Sequence, residues 1–318
     1  MFTPPGAQPW SMHLHPRGRI FVLGAGKGGA AMARSLDSIA GDRLAGGAVV
    51  VPAPLPESPA RIRLLPGGHP LPTEESARSA AAVMDLARQA GPDDVVVVLL
   101  SGGGSALLAA PVTGVTLADK RQVTGQLLRC GAAISEINIV RKHLSAVKGG
   151  RLGALLARTP TLTLALSDVP GDDPATIASG PTVADPSTFS EALDVVLRLG
   201  MGDNLPERVK RHLQAGAHGE REETPKPADP ALALQRFVVV ASNRTALEAI
   251  AGAATQRGWR AHVVTDPVCG EVRNAARAYL DSVTPLLDAA HGPLCVISGG
   301  ETTVTVRGGG QGGRNQEF

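Results

Sequence analysis

Glycine-rich loops at 24–29, 101–105, 298–300 and 308–313 are where this sequence could do chemistry. Basic residues stand in or beside such loops at Lys27, Lys148, Arg151 and Arg314, and carboxylates at Asp168, Asp172, Asp173 and Glu301. Glycine leaves backbone N–H groups uncovered and tolerates positive φ, so such loops suit anionic ligands. Cations for phosphate oxygens and carboxylates for Mg2+ are the inventory of phosphoryl transfer. Structural roles compete with this reading. Asp168 and Asp172 would suit the capping of a turn, Lys148 the C-terminus of a helix ahead of a glycine cap, and Arg141-Lys142-His143 a solvated helix face.

Other chemistries lack their parts. Gly24-x-Gly26-x-x-Gly29 matches the dinucleotide fingerprint, but the following strand ends Val50-Val51-Pro52, with no acidic residue to hold a ribose hydroxyl. Lys27 inside that turn instead suits a phosphate or carboxylate. No Gly-x4-Gly-Lys-Ser/Thr loop is present, so ATP would be held by another scheme. His69 has no Asp or Ser partner nearby in sequence, which argues against a triad. HxH and HExxH are absent, and Cys130, Cys269 and Cys295 are too far apart to suggest a zinc site or disulfide framework.

The elements that would hold these loops are legible. Residues 95–100, Val-Val-Val-Val-Leu-Leu, are apolar on both faces and predict a buried parallel strand opening into Ser101-Gly102-Gly103-Gly104-Ser105. Residues 19–23, 30–39 and 47–51 predict strand, helix and strand, a βαβ unit. Residues 53–72 read as irregular. Helices are predicted over 73–90, 116–130, 135–145, 188–199 and 206–214, and a strand over 161–166. The Pro-rich stretch 216–230 reads as an exposed connection. Beyond it, strands at 237–241, 260–265, 294–297 and 302–306 alternate with helices at 243–257 and 271–287. The expected fold is α/β: a Rossmann-like parallel-sheet domain over 1–234, then a smaller α/β domain over 235–318. Val98 to Gly103 echoes Cys295 to Gly300, so each domain has a buried strand opening into Ser-Gly-Gly, and the two edges could face each other across a cleft. Residue 314 onward reads as the first turn of a helix cut short, so a C-terminal truncation is expected.

The chain has 318 residues, enough for two domains, and a formal net charge of +2. Bulk electrostatics therefore give no reason to expect a nucleic acid or an anionic membrane as partner. Its 38 glycines cluster at strand ends, as expected of a protein that cradles a ligand with its backbone. Residues 1–17 lack the apolar core of a signal peptide, which makes the cytoplasm the expected compartment.

Together the loops resemble a known family. Gly-Ala-Gly-Lys-Gly at 24–28, Gly-Gly-His-Pro at 67–70 and Leu-Ser-Gly-Gly-Gly-Ser-Ala at 100–106 fit it. So do Ile-Asn-x-Val-Arg-Lys-His-Leu-Ser-x-Val-Lys-Gly-Gly at 137–150, Leu-Ser-Asp-Val-x-Gly-Asp at 166–172 and Ala-Ser-Gly-Pro-Thr at 178–182. Ser-Gly-Gly-Glu-Thr-Thr-Val at 298–304 and Gly-Gly-Arg-Asn-Gln-Glu at 312–317 complete the set. The chain resembles the MOFRL-type glycerate 2-kinases, whose bacterial members often bear the name hydroxypyruvate reductase. The resemblance implies two α/β domains flanking an active site, and ATP- and Mg2+-dependent phosphorylation of D-glycerate to 2-phosphoglycerate. It implies catalytic roles for Lys27 and Arg314. Beside them, Asp168 is expected to orient the attacking hydroxyl or, with Asp172, to hold the metal. The expected binding set is Gly26, Gly28, His69, Ser101, Gly102, Gly103, Gly104, Ser105, Lys148, Ser298, Gly299, Gly300 and Glu301. Family members usually continue beyond the last motif, carry helical sequence before the first strand and often have a basic residue where Gln311 stands. The rival readings are an NAD(P)H-dependent hydroxypyruvate reductase and an inactive, truncated anion-binding paralogue.

Overall fold

The computed structural model describes residues 14–53, 58–305 and 314–318. The chain forms two compact units, Met1–Val240 and Ala241–Phe318.

The first unit opens with β1 (Ile20–Ala25), α1 (Gly29–Ala40) and β2 (Leu44–Val51). β3 (Ile62–Pro66), α2 (Glu74–Ala87), β4 (Val95–Leu100) and the one-turn α3 (Gly104–Leu107) follow. Next come α4 (Leu117–Arg129), α5 (Ile134–His143), α6 (Arg151–Leu155) and β5 (Thr161–Leu166). The unit closes with α7 (Phe189–Arg198), α8 (Glu207–Ala217) and β6 (Gln235–Ala241). The sheet order is β3-β2-β1-β4-β5-β6. β3, β2, β1, β4 and β5 pair in parallel throughout. This is the Rossmann-like α/β architecture that the βαβ reading anticipated.

β4 sits at the centre of the sheet and all six of its residues are buried. Leu23, Val98 and Leu100 face one apolar cluster, and Val22, Val97 and Leu99 face the other. This two-sided burial is why the strand reads as an unbroken apolar run. Short polar residues set the helix starts. Thr73 with Ser76, Thr116 with Asp119 and Thr188 with Glu191 form capping boxes ahead of α2, α4 and α7.

Some elements depart from the sequence reading. β3 lies within the stretch expected to be irregular. Its partner is β2, with Gly47 opposite Ile62, and pairing across that distance leaves little local signature. β6 is hydrogen-bonded beside β5, as an edge strand of the first sheet.

The second unit contains α9 (Asn243–Gln256), β7 (Arg260–Val263), β8 (Val268–Glu271) and α10 (Val272–Asp288). It continues with β9 (Leu294–Ile297), β10 (Gly300–Thr303) and α11 (Arg314–Glu317). β7 pairs with β9 and β8 with β10, both in parallel. β8 was not anticipated from sequence, and β10 begins two residues before the expected strand. Among the described residues no helix is long and apolar enough to cross a membrane.

Candidate functional site

The sheet order places the carboxyl ends of β1 and β4 side by side, Ala25 opposite Leu100. The winding of the chain reverses there, with β2 and β3 on one side and β5 and β6 on the other. Open α/β sheets bind ligands in the crevice outside such a reversal. The glycine loops after β1 and β4 meet at this point and are tied together by their own backbone. Ser101 N–H donates to the Ala25 carbonyl at 3.2 Å, and Lys27 N–H to the Gly102 carbonyl at 2.8 Å. Gly28 N–H donates to Ser101 Oγ at 2.9 Å. Gly26 has φ +149°, and a methyl carbon there would lie 2.0 Å from Ser101 Oγ. Only glycine allows the first loop to close against the second.

Side chains from other strand ends converge on the second loop. A methyl carbon on Gly102 would fall 2.1 Å from Asp168 Oδ2. One on Gly103, at φ +83°, would fall 2.8 Å from His69 Cδ2 and 3.4 Å from Lys27 Cε. The loops after β1, β3, β4 and β5 thus bring Lys27, His69, Gly102, Gly103 and Asp168 into one place. Lys27 and Asp168 are exposed there. Among the described residues the Lys27 ammonium makes no ion pair, and the Gly102 and Gly103 N–H groups meet no acceptor. Partial burial, then the Lys27 ammonium, hold the His69 imidazole below its ordinary range, while Asp168 acts in the opposite sense. A cation, uncovered amides, an imidazole biased toward its neutral form and a carboxylate can together bind an anionic group and handle a proton beside it.

The back of the loop is braced. A methyl carbon on Gly104 would be 2.9 Å from Ala178 Cβ. The Ser105 and Ser179 hydroxyls share a 2.8 Å hydrogen bond. Ser105 was expected to offer its hydroxyl to a ligand; that hydroxyl is joined to the bracing segment. The Ser101 hydroxyl likewise accepts the Gly28 N–H that links the loops. Ala178, Ser179 and Gly180 all have positive φ, of 52°, 62° and 60°. Non-glycine residues hold that conformation only where their surroundings over-determine it. Here Gly149 N–H donates to the Ser179 carbonyl and Gly150 N–H to the Gly180 carbonyl. The Ala-Ser-Gly-Pro-Thr and Lys-Gly-Gly motifs therefore buttress the Ser-Gly-Gly-Gly-Ser loop. Sequence reading missed Ala178 and Ser179 as supports because nothing local marks an alanine or serine for left-handed backbone.

Lys148 is 2% exposed and donates its Nζ to the Leu108 carbonyl at 3.0 Å. Lys120 and Arg141 are its charged neighbours. Arg141-Lys142-His143 is not a solvated face. Lys142 and His143 are buried and bonded to Asp185 Oδ1 and Glu223 Oε1 at 3.2 and 2.8 Å, and Arg141 is only partly exposed.

For a metal, the carboxylates after β5 divide. Asp173 caps its own turn through Ala175 N–H and Thr176 Oγ1, whereas Asp168 and Asp172 make no side-chain hydrogen bond among the described residues. The described residues contain no group of three or more His, Cys, Asp or Glu placed to hold an ion. One or two carboxylates completed by phosphate and water is the usual Mg2+ arrangement, so Asp168 and Asp172 fit a metal that arrives with a nucleotide.

In the second unit, Ser298, Gly299, Gly300 and Glu301 follow β9. A methyl carbon on Gly299 would lie 2.2 Å from Asn243 Oδ1, at the start of α9, and one on Gly300 would lie 2.2 Å from the Val268 carbonyl. Arg314 begins α11, and its side chain lies outside the described residues, as does Gln311.

Comparison with known proteins finds two family models in the chain. Residues 4–214 match a domain of unknown function, DUF4147, and residues 294–318 match the MOFRL family. The glycerate 2-kinase of Pyrococcus horikoshii is 38% identical over 306 residues, 95% of this chain and 68% of that protein. An Agrobacterium vitis protein, provisionally named hydroxypyruvate reductase, is 42% identical over 308 residues, 95% of this chain and 68% of its own. The crystal structure of the glycerate kinase of Thermotoga maritima superimposes with a TM-score of 0.81 at 35% identity, over 95% of this chain and 71% of that one.

Proposed function

The chain belongs to the MOFRL-type glycerate kinase family, and on that premise we propose that it transfers the γ-phosphoryl group of ATP to D-glycerate, giving 2-phosphoglycerate and ADP. The observation that carries this reading is the meeting of Lys27, His69, Asp168 and the Gly102–Gly103 amides where the winding of the sheet reverses. In the transfer, the glycerate 2-hydroxyl oxygen bonds to the γ-phosphorus, the bond to the β–γ bridging oxygen breaks, and the hydroxyl gives up its proton.

Each residue has a part in that step. The Lys27 ammonium offsets negative charge on the phosphoryl group in flight. The Gly102 and Gly103 amides donate to an anionic oxygen. Asp168 accepts from and orients the attacking hydroxyl. His69, held toward its neutral form, offers a hydrogen bond without adding a second full positive charge beside Lys27. Gly26, Gly28 and Ser101 set the shape of the loops. In the second unit, Arg314 and Ser298–Glu301 are proposed as further anion-binding residues. Asp168 and Asp172 would hold Mg2+, which when bound neutralises charge on the nucleotide phosphates.

The rival to test against is hydroxypyruvate reduction, because relatives bear that name. Val51-Pro52 at the end of β2 lacks the acidic residue an NAD ribose would need. Incubation with ATP, Mg2+ and D-glycerate, followed by 31P NMR, should give a phosphomonoester on the 2-hydroxyl. Phosphate on the 3-hydroxyl would overturn the regiochemistry. NADH consumption with hydroxypyruvate, and no phosphorylated product, would favour the reductase.

A further inference from the structure

Away from Lys27, three basic side chains lie within electrostatic reach of one another, and none is paired with a carboxylate among the described residues. Lys120, on α4, is 7% exposed, and its Nζ has no accessible surface and no hydrogen-bond partner among the described residues. Lys148, just before α6, is 2% exposed and meets only the neutral Leu108 carbonyl. Arg141, on α5, lies close enough to act electrostatically on both. None of the three forms an ion pair among the described residues.

The fold treats the neighbouring cations differently. Lys142, next to Arg141 in sequence, is paired with Asp185 at 3.2 Å. Arg151, three residues after Lys148, has Glu222, Glu223 and Asp185 as acidic neighbours. Counter-charges are supplied on both sides of the trio and withheld from it. Gathering like charges in a low-dielectric interior is costly unless an opposite charge arrives to offset them. Leu108, which Lys148 holds, directly follows α3, the one-turn helix opened by Gly104. The trio is therefore attached to the far end of the same loop-and-helix segment that presents the Gly102 and Gly103 amides.

We propose that Lys120, Arg141 and Lys148 form a second anion site in the first unit, built to take one oxyanion group of a small acid, either a carboxylate or a phosphoryl group. Arg141 supplies a planar fork for two oxygens, and the lysines supply point charges around it. The site stands whichever reaction the chain performs, since it rests on charge and burial away from Lys27.

Titration calorimetry on the full chain tests this, with inorganic phosphate and D-glycerate as separate probes. The comparison variant is Lys120→Met, which keeps the shape and removes the charge. The expected result is binding of at least one probe, weakened tenfold or more by Lys120→Met, together with a higher Tm for the ligand-free variant. Loss of the phosphate response alone assigns the phosphoryl group; loss of the D-glycerate response alone assigns the carboxylate. Affinities within twofold of the parent alongside a raised Tm would overturn the proposal and make the trio a structural burden. Failure of the parent chain to bind either probe at millimolar concentration would overturn it too. Arg141→Met, at a partly exposed position, carries the same test if Lys120→Met does not fold. Because the readout is binding, its failure is distinct from a failure of the kinase reading, which is judged by product.

Discussion

The α-carbon of Gly102 lies so close to Asp168 that a single added methyl would sit 2.1 Å from the carboxylate Oδ2. The glycine at this position makes room for a carboxylate from the neighbouring strand end. Gly102→Ala should therefore displace Asp168 while leaving the buried sheet intact. A displacement of about 1 Å in a reacting group can cost about 100-fold in rate. Steady-state kinetics should show a fall of that order with Tm nearly unchanged. Full activity in this variant would remove Asp168 from the mechanism.

Lys27 has both a kinetic and a spectroscopic signature. Lys27→Met should lower kcat by about 100- to 1000-fold, the loss typical of removing one donor from a site of developing charge. It should also raise the pKa of His69, because the Lys27 ammonium holds that imidazole down. Asp168→Asn should shift His69 the other way, since Asp168 acts to raise it. NMR titration of the His69 ring in the three proteins measures this geometry without any substrate.

Ser101 is a clasp between loops. Its hydroxyl accepts the Gly28 N–H at 2.9 Å. Ser101→Ala leaves that donor without its partner at a part-buried position, at a cost of about 1–3 kcal/mol. Denaturant unfolding should register the loss in the midpoint with little change in slope. The variant should also bind nucleotide more weakly, because the first glycine loop is released.

Lys120 makes stability depend on pH. Burial, then Arg141, lower its pKa from 10.5 to about 7, and burial, then Lys120 and Arg141, hold Lys148 well below its ordinary value. Above pH 10.5 the amine is neutral in folded and unfolded chains alike. As pH falls from 10.5 to about 7, the unfolded chain takes up a proton that the folded chain does not, so stability declines by about 1.4 kcal/mol per pH unit. Below about 7 both states are charged and the penalty stays constant. The rise in Tm produced by Lys120→Met should accordingly be large at pH 7 and shrink toward pH 10. An equal rise at both would show that Lys120 is not a buried, depressed amine.

How far these relationships could be read from the chain varies by residue. Gly26 and Gly102–Gly104 stand out because a glycine cluster after an apolar run marks an open strand end whatever surrounds it. Lys27 stands out because it interrupts such a cluster. Arg141 and Lys120 do not. A lysine or arginine on an amphipathic helix looks the same whether its charge faces water, a carboxylate or another cation. Asp168 and Asp173 show the same ambiguity, since both suit a turn, and only the folded chain reveals that Asp173 caps while Asp168 faces Gly102.

Local chemistry alone determined the buried strand 95–100, its glycine loop, the helix starts at Thr73 and Thr116, and the ordered motifs that point to the family. These follow from side-chain type over a few residues and need no distant partner. Tertiary structure decided the sheet order, which sets β1 beside β4 and makes two glycine loops into one site. It also placed β3 on β2, gave Ser105 to Ser179, and paired Lys142 with Asp185 while leaving Lys120 without a counter-charge. Strand pairing and charge pairing both join residues far apart in the chain, and the burial that gives them their energetic weight exists only once the chain has folded.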